Sequence, residues 1–490
     1  MTFNQERQGI PQDTAWLPKV ANLTINNLPD ELLVEIFDFY RQDKPDNVSD
    51  YHWWSIKLEW FKLIHVCKRW RTVVFASSSR LDLCFVLPKT GGHMKTILSR
   101  HFPPLPIDIR TNRAILANQA KDVARIYSAL KHPDRIRRVS FIETTTVLDK
   151  LLKAIKFPLP ALESLELRDK YDRALKIPAT FLKGSYLHLR TLKLHPIRVS
   201  LPTISRLLSS VPALTCLCLL IDTNVASGPP PAMLLLLSHL QGMPCLRRLD
   251  LELTRFFGEP SQPTNSKENF TLSNLTSFRY RGHSAFLNTL IAGFTAPSLR
   301  DIFIRLHDMI LSPIPHLSRF IEDTKEHCRA VQVDLEQASF RLLLLGPGPF
   351  EYAGHDSLHF TLSSPLSPES MTQMSSAFYS KLITTEELTV NFLDDADAEE
   401  EVIPWRRFFL QFPRVKALRM YGTNNRRVAS ALHQDYGEHN LAILPALEEI
   451  ELCMSSSSTS EDHASELAIF EPFVSARQQA GLPVKVVTDM

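Results

Sequence analysis

Cysteine and histidine are the first residues to search for chemistry, because they supply nucleophiles, proton carriers and metal ligands. The chain has seven cysteines and 17 histidines, and the sequence contains neither a CxxC nor an HExxH motif. Cys216 and Cys218 lie two residues apart, but a metal there would need two further ligands that the sequence does not identify. We therefore predict no catalytic site, no metal centre and no cofactor, and we expect that the protein is not an enzyme.

Arginine offers a different chemistry, because its planar fork of donors recognises carboxylates and phosphates. Arg279, Arg281 and Arg305 occupy equivalent positions of two strands derived below, and Phe303 lies among them. One hypothesis is that this cluster receives an acidic or phosphorylated segment of a protein client. Acidic residues also flank the cluster on both sides: Asp250, Glu252, Asp334 and Glu336. The alternative is therefore a ladder of opposite charges that holds the strands in register and binds nothing.

Composition and charge exclude several classes of protein. The chain of 490 residues has 55 Lys and Arg against 53 Asp and Glu, so it lacks the concentrated positive charge of a nucleic-acid binder. Its 15 glycines leave little material for loops that cradle phosphate. The amino terminus lacks a signal-peptide core, and the longest apolar run, residues 232–240, is too short to cross a bilayer. We predict a cytoplasmic or nuclear protein with no nucleic-acid or membrane partner.

One apolar pattern recurs along most of the chain, with apolar residues at positions n, n+3 and n+5. Leu162, Leu165 and Leu167 form a clear copy. The copies begin at residues 136, 162, 189, 214, 246, 275, 299, 330, 357, 385, 415 and 447. Those at 330, 357 and 385 match the pattern less well. Successive copies start 24 to 32 residues apart, or about 28 on average, which indicates a repeat protein.

Proline marks the boundaries of these repeats. It stands two residues before n in six copies: Pro160, Pro212, Pro244, Pro297, Pro413 and Pro445. Because proline cannot continue a helix, it indicates where a helix ends and a short strand begins. A strand and a helix in about 28 residues match the leucine-rich-repeat period. We predict an irregular solenoid with parallel strands on its concave side, where positions n+4 and n+6 face away from the core; chance LxxLxL runs in an ordinary α/β protein are the alternative.

The amino-terminal part is helical by pattern. Segment 28–40 has Pro29 at a position suited to the first turn of a helix, and Leu32, Leu33, Ile36, Phe37 and Tyr40 share one face at helical spacing. A second apolar face is predicted within segment 61–75: Leu63, Val66, Cys67, Trp70, Val73 and Val74. Short helices bury little surface alone. They either complete their core against a partner or cap the first repeat of the solenoid.

These two segments together resemble the F-box. Residues 25–37 contain LPDELLVEIF, and residues 67–71 read CKRWR. Residues 74–86, 103–109 and 473–484 are similar to the corresponding parts of a large group of basidiomycete F-box proteins. The resemblance implies a small helical F-box followed by the leucine-rich-repeat solenoid, an α+β or α/β fold class. One departure is an insertion at residues 41–60, where the family commonly has a short connection.

By resemblance, the protein is the substrate-recognition subunit of an SCF-type cullin–RING ubiquitin ligase. The F-box binds a Skp-family adaptor and through it a cullin, while the repeats bind a protein client. The implied adaptor contacts are Leu28, Pro29, Leu32, Ile36, Phe37, Val66, Cys67 and Trp70. A leucine-rich-repeat scaffold that acts outside any ligase is the alternative.

The expected domain organisation follows from the same segments. Residues 1–22 form an amino-terminal tail and residues 23–85 the F-box with its insertion. Residues 86–133 connect it to the solenoid, which spans residues 134–490 and ends in a carboxy-terminal cap.

Overall fold

A computed structural model provides the structure of the chain. It describes residues 25–42, 60–87, 105–111, 119–155, 157–171, 173, 175–177, 187–198, 205, 207–222, 230–254, 270–307, 315–322, 329–336, 339–345, 359–365, 376–392, 405–422, 425–433, 443–453 and 460–489. The predicted tail at 1–22 and most of the predicted insertion at 41–60 lie outside these residues. The chain divides into two compact units, Met1–Asp108 and Ile109–Met490.

The described helices and strands alternate along most of the chain. The α-helices are α1 (Asp30–Gln42), α2 (Trp60–Ile64), α3 (Lys68–Ala76), α4 (Gln119–Ala129), α5 (Thr145–Ala154), α6 (Pro230–Gln241), α7 (Ser284–Ala292), α8 (Pro315–Glu322), α9 (Tyr379–Leu382), α10 (Trp405–Phe409), α11 (Asn425–His433) and α12 (Ser460–Gln479). The strands are β1 (Phe85–Leu87), β2 (Ile107–Thr111), β3 (Ile136–Glu143), β4 (Ser164–Asp169), β5 (Leu175–Lys176), β6 (Thr191–Arg198), β7 (Cys216–Asp222), β8 (Arg248–Thr254), β9 (Phe270–Thr271), β10 (Ser277–Gly282), β11 (Phe294–Thr295), β12 (Asp301–Leu306), β13 (Ala330–Glu336), β14 (Ser339–Leu345), β15 (His359–Pro365), β16 (Glu387–Phe392), β17 (Ala417–Tyr421), β18 (Glu449–Cys453) and β19 (Lys485–Asp489).

The first unit has its own aromatic core. Trp60 is almost fully buried, and its ring meets the edges of Phe75 at 6.1 Å and Phe85 at 5.8 Å. The ring of Phe37 from α1 packs 4.8 Å from that of Trp70 in α3. Aromatic side chains bury large areas and favour such tilted contacts, so these rings hold the three helices together.

The second helical segment is not continuous, which corrects the sequence prediction for residues 61–75. Helix α2 ends at Ile64, and α3 begins at Lys68 after Cys67, whose extended backbone (φ −155°, ψ 173°) breaks the helix. The Cys67 sulfur accepts a hydrogen bond from the Trp70 backbone N–H at 3.4 Å and so caps α3. Val66 therefore lies in the connection between the helices, where it is 58% exposed.

A parallel sheet organises the second unit. Strands β3, β4, β6, β7, β8, β10 and β12 are parallel neighbours in chain order. Strands β16, β17, β18 and β19 form a second parallel series. The unit is thus a mixed α/β structure with a parallel sheet, compatible with a solenoid-like repeat.

Alternating apolar residues explain why these segments form strands. Leu165, Leu192 and Leu217 are fully buried and lie side by side on β4, β6 and β7. Burying a leucine contributes about 1.5–3 kcal/mol. Phe278, the equivalent residue of β10, packs against Phe320 of α8 at 5.6 Å. The n+3 and n+5 positions therefore face the helices, and n+4 and n+6 form the opposite, helix-free face.

The predicted order of the repeats is wrong between β12 and β16. Strand β15 lies beside β12, and β14 joins β15 to β13 by antiparallel pairing on both sides. Strand β13 in turn is parallel to β16. The physical reason is the short connection between β13 and β14, because two residues permit a hairpin but not the crossover that parallel strands require.

The predicted register of the weak repeat at 330 is also wrong. Val331 lies opposite Leu388 and Val333 opposite Val390, so Val331 and Val333 are the two core positions of this strand. The sequence prediction placed them two residues later, at Val333 and Leu335. The adjacent β14, with four consecutive leucines, is a strand that the repeat search missed, as is β19.

Among the described residues, no helix is both long enough and apolar enough to cross a membrane.

Candidate interaction surfaces

Helix α1 exposes an apolar stripe, called here the α1 surface. It consists of Leu32, Ile36, Phe39 and Tyr40, whose exposed fractions are 49%, 41%, 69% and 42%. Their spacing places them along one side of the helix. Exposed apolar side chains that adjoin one another are typical of interaction sites, whereas single ones are common on any surface.

The adjoining side of α1 is also apolar. Leu33, Val34 and Phe37 are buried in the core of the first unit. The predicted single face of Leu32, Leu33, Ile36, Phe37 and Tyr40 is therefore divided, which corrects the sequence prediction. The predicted apolar face is wide enough to be divided in this way, because an apolar stripe of about 100° is enough to cover a core.

Arg69 fixes the first turn of α1 against α3. Its guanidinium donates to the Asp30 carboxylate at 2.6 and 3.0 Å and to the backbone carbonyl of Leu28. A second pair joins Arg80 to Glu35 further along α1. Both pairs are partly exposed, so each contributes modestly to stability, but together they fix the orientation in which α1 presents its stripe.

The predicted adaptor residues fall into two groups in this unit. Pro29, Leu32, Ile36 and Val66 are exposed. Phe37 is buried, and Leu28, Cys67 and Trp70 are partly buried, with Leu28 and Trp70 packed against the core. The second group therefore shapes the unit, and the first is accessible to another molecule. Phe39 was not among the predicted residues, although its spacing from Leu32 and Ile36 was a usable signal.

The predicted arginine cluster lies on the helix-free face of the second unit. Arg279 is opposite Phe303, and Arg281 is opposite Arg305, on the neighbouring strands β10 and β12. The Arg281 guanidinium carbon lies 5.5 Å from the centre of the Phe303 ring, a cation–π distance. The four predicted residues are thus brought together.

Two of the three arginines have carboxylate partners. Arg279 donates to Asp301 at 3.2 Å, and Arg281 donates to Glu252 at 2.9 Å. Asp301 also accepts a hydrogen bond from the Ser277 hydroxyl at 2.8 Å. For these two arginines the geometry is that of the ladder of opposite charges.

The Arg305 side chain is exposed and has no ion pair or hydrogen bond with any residue in the described part of the chain. The sequence placed Asp334 and Glu336 on the strand next to it. The neighbouring strand is instead β15, where Ser363 occupies the position opposite Arg305. Among the described residues, the guanidinium of Arg305 therefore has no carboxylate partner, unlike those of Arg279 and Arg281.

Further polar contacts on this face were indicated by the sequence only in part. Asp334 is nearly buried and accepts from Asn391 at 2.8 Å and Arg341 at 3.3 Å. Arg419 donates to Glu451 at 2.6 Å, a bond that raises the pKa of Arg419. The n+4 spacing did indicate Arg419 and Glu451, but Arg341 lies on the strand that the repeat search missed.

The described residues contain no group of three or more His, Cys, Asp or Glu side chains placed to hold a metal ion.

Comparison with known proteins does not assign the chain to a family. No protein-family model and no curated protein matches the sequence. Among solved structures, the chain matches a Bacteroides fragilis protein determined by the Northeast Structural Genomics Consortium. The match has 13% identity, covers 77% of this chain and 84% of that chain, and has a TM-score of 0.24.

Proposed function

We propose that this protein is the substrate-recognition subunit of an SCF-type cullin–RING ubiquitin ligase. In this proposal the first unit is an F-box, and the α1 surface binds a Skp-family adaptor that links the chain to a cullin. The supporting observation is that α1 is apolar on two sides, one buried in its own core and one exposed as Leu32, Ile36 and Phe39. The LPDELL and CKRWR motifs supply the identity of the expected partner.

We also propose that the second unit is a leucine-rich-repeat solenoid that binds a protein client on its helix-free face. Arg305 and Phe303 form the centre of this client site, with Arg279 and Arg281 beside them. The paired arginines hold the neighbouring strands in register through Asp301 and Glu252. In this proposal Arg305, whose side chain pairs with none of the described residues, recognises a carboxylate or phosphate.

Co-expression with a Skp-family adaptor and a cullin tests the adaptor proposal. We expect Leu32→Asp combined with Ile36→Asp to weaken adaptor capture at least about 30-fold, because central apolar anchors dominate interfaces. Both side chains are exposed, so the change leaves the core intact. Leu28→Ala and Trp70→Ala are less suitable, because those side chains pack against the core.

Leu410→Asp is the matched control, because this leucine is 46% exposed in the second unit. It should leave adaptor capture unchanged. Full capture by the Leu32/Ile36 variant would refute the proposed docking surface. A wild-type chain that recovers neither adaptor nor cullin would instead favour the scaffold function outside a ligase.

A further inference from the structure

Cys216 and Cys218 form a thiol pair on the helix-free face of β7. Their sulfur atoms lie 3.8 Å apart, with Cys216 partly buried and Cys218 buried. Residues two apart on a strand share a face, and Leu217 between them is buried on the helix side. Lys193 of β6 and Asp250 of β8 occupy the positions on either side of Cys218.

This pair is poorly placed to form a disulfide. Side chains two apart on a strand stand nearly parallel, so their Cβ atoms are about as far apart as their Cα atoms, about 6.6 Å, whereas a disulfide holds its Cβ atoms about 3.8 Å apart. Closing the bond would bend β7, which pairs with β6 and β8 on its two sides. The sheet therefore favours two thiols over a disulfide.

A metal ion can join the two sulfurs without bending the strand. Metal–thiolate bonds of about 2.3 Å, the length found for zinc, allow one ion to bind sulfurs up to about 4.6 Å apart. The observed separation of 3.8 Å lies within this reach. Both side chains already point to one place, so little ordering is required on binding.

We propose that Cys216 and Cys218 bind one soft monovalent cation of the Cu(I) class. Thiolates select Cu(I) and zinc, but structural zinc takes four ligands. The described residues do not assemble even three candidate ligands. Two thiolates suffice for Cu(I), so the two further ligands that a zinc site would need are not required here. As the two Cu–S bonds form, the thiol protons still bound to the sulfurs leave to solvent and no electron is transferred.

A competition titration tests this site. The reduced full-length chain is titrated anaerobically with Cu(I)–bicinchoninate, and transfer of Cu(I) to the protein is followed by loss of the chelator colour. We expect one equivalent to transfer tightly. Cys216→Ser or Cys218→Ser should weaken binding at least about 100-fold, because even outer-shell changes cost 10–100-fold. Cys245→Ser, which changes an exposed cysteine elsewhere, should have no effect.

Circular dichroism of each variant monitors the fold. Cys216 is only partly buried, so Cys216→Ser tests the site even where Cys218→Ser disturbs the strand. Undiminished Cu(I) binding by Cys216→Ser would overturn the proposal. Zn(II) binding as tight as Cu(I) binding would overturn the two-ligand assignment, and a disulfide between the two cysteines in the isolated protein would overturn the argument from strand geometry.

Discussion

The guanidinium of Arg281 lies 2.9 Å from the carboxylate of Glu252 on the adjacent strand. An arginine cluster on this face could either hold neighbouring strands in register or recognise a client, and this ion pair gives Arg281 the first role. Arg281 is held by Glu252 and by the Phe303 ring, whereas the Arg305 side chain one strand further pairs with none of the described residues. In the proposed client site, Arg281 therefore has the structural role and Arg305 the binding role.

Charge reversal at Arg305 should weaken client binding with little loss of stability. We expect Arg305→Glu to reduce capture from a library of phosphoserine peptides at least about tenfold, because arginine–phosphate hydrogen bonds are strong. Arg168→Glu is the matched control, an exposed arginine on β4 of the same face. Equal capture by wild type and Arg305→Glu would contradict the client site. A library that binds only in unphosphorylated, acidic form would identify carboxylates as the recognised group.

Removing Arg69 should loosen the start of α1. Arg69→Ala loses the bonds to Asp30 and to the Leu28 carbonyl, so we expect a loss of about 1 kcal/mol in the free energy of unfolding and weaker adaptor capture. Arg80→Ala removes the more exposed pair with Glu35 and should cost under about 0.5 kcal/mol. Urea unfolding measures both. A larger loss of free energy of unfolding for Arg80→Ala than for Arg69→Ala would show that the Arg80 pair contributes more to stability than the bonds of Arg69.

Gly422 should not tolerate a side chain. It has φ +101°, and a Cβ there would lie 2.6 Å from the Phe392 carbonyl oxygen. We expect Gly422→Ala to lower the free energy of unfolding by at least about 2 kcal/mol, from backbone strain plus the clash. Gly481 also has positive φ (+75°) but open space around it, so Gly481→Ala should cost about 1 kcal/mol. Equal costs by urea unfolding would show that the contact with Phe392 is unimportant.

Asp169 should make stability depend on pH. Burial acts to raise its pKa, but hydrogen bonds from Thr145, Arg173 and Tyr171 outweigh this and lower it. Since the folded pKa is lowered, the stabilisation is complete above the unfolded pKa, about 4, and is lost as pH falls through the folded value. Asp169→Asn should therefore cost about 1–3 kcal/mol at pH 7 and progressively less in acid.

Urea unfolding at neutral and acidic pH measures this dependence. Asp149→Asn removes an exposed pair with Lys153 one helical turn away and should change stability by less than about 0.5 kcal/mol. A constant difference between wild type and Asp169→Asn at all pH values would mean that the charge of Asp169 does not contribute.

The sequence predicted which residues face the core far better than which strands are neighbours. Leu165, Leu192 and Leu217 occupy the predicted positions because alternation along a strand is a local property. The order β12, β15, β14, β13 was not predictable in this way, because apolar spacing carries no information about which strand pairs with which. The leucine run of β14 was the available signal, and the repeat search passed over it.

The candidate surfaces were predicted in part for the same reason. The motifs indicated the correct helix, but the division of α1 between Phe37 inside and Ile36 outside depends on how α3 packs against it. The arginine cluster followed from strand periodicity, whereas the pairing of Arg279 with Asp301 depends on side-chain placement across β10 and β12. Contacts between residues far apart in the sequence decide both the division of α1 and the pairing of Arg279.

The reversed order of strands at the middle of the sheet also constrains how the chain acquires its structure. Arrays of identical units can begin folding anywhere and grow by adding the next unit. Here Ile304 lies beside Leu362, and strands β13 and β14 come between these two residues in the sequence. We expect stepwise growth to be interrupted at this junction, so that loss or duplication of a unit is tolerated better on either side of it than across it.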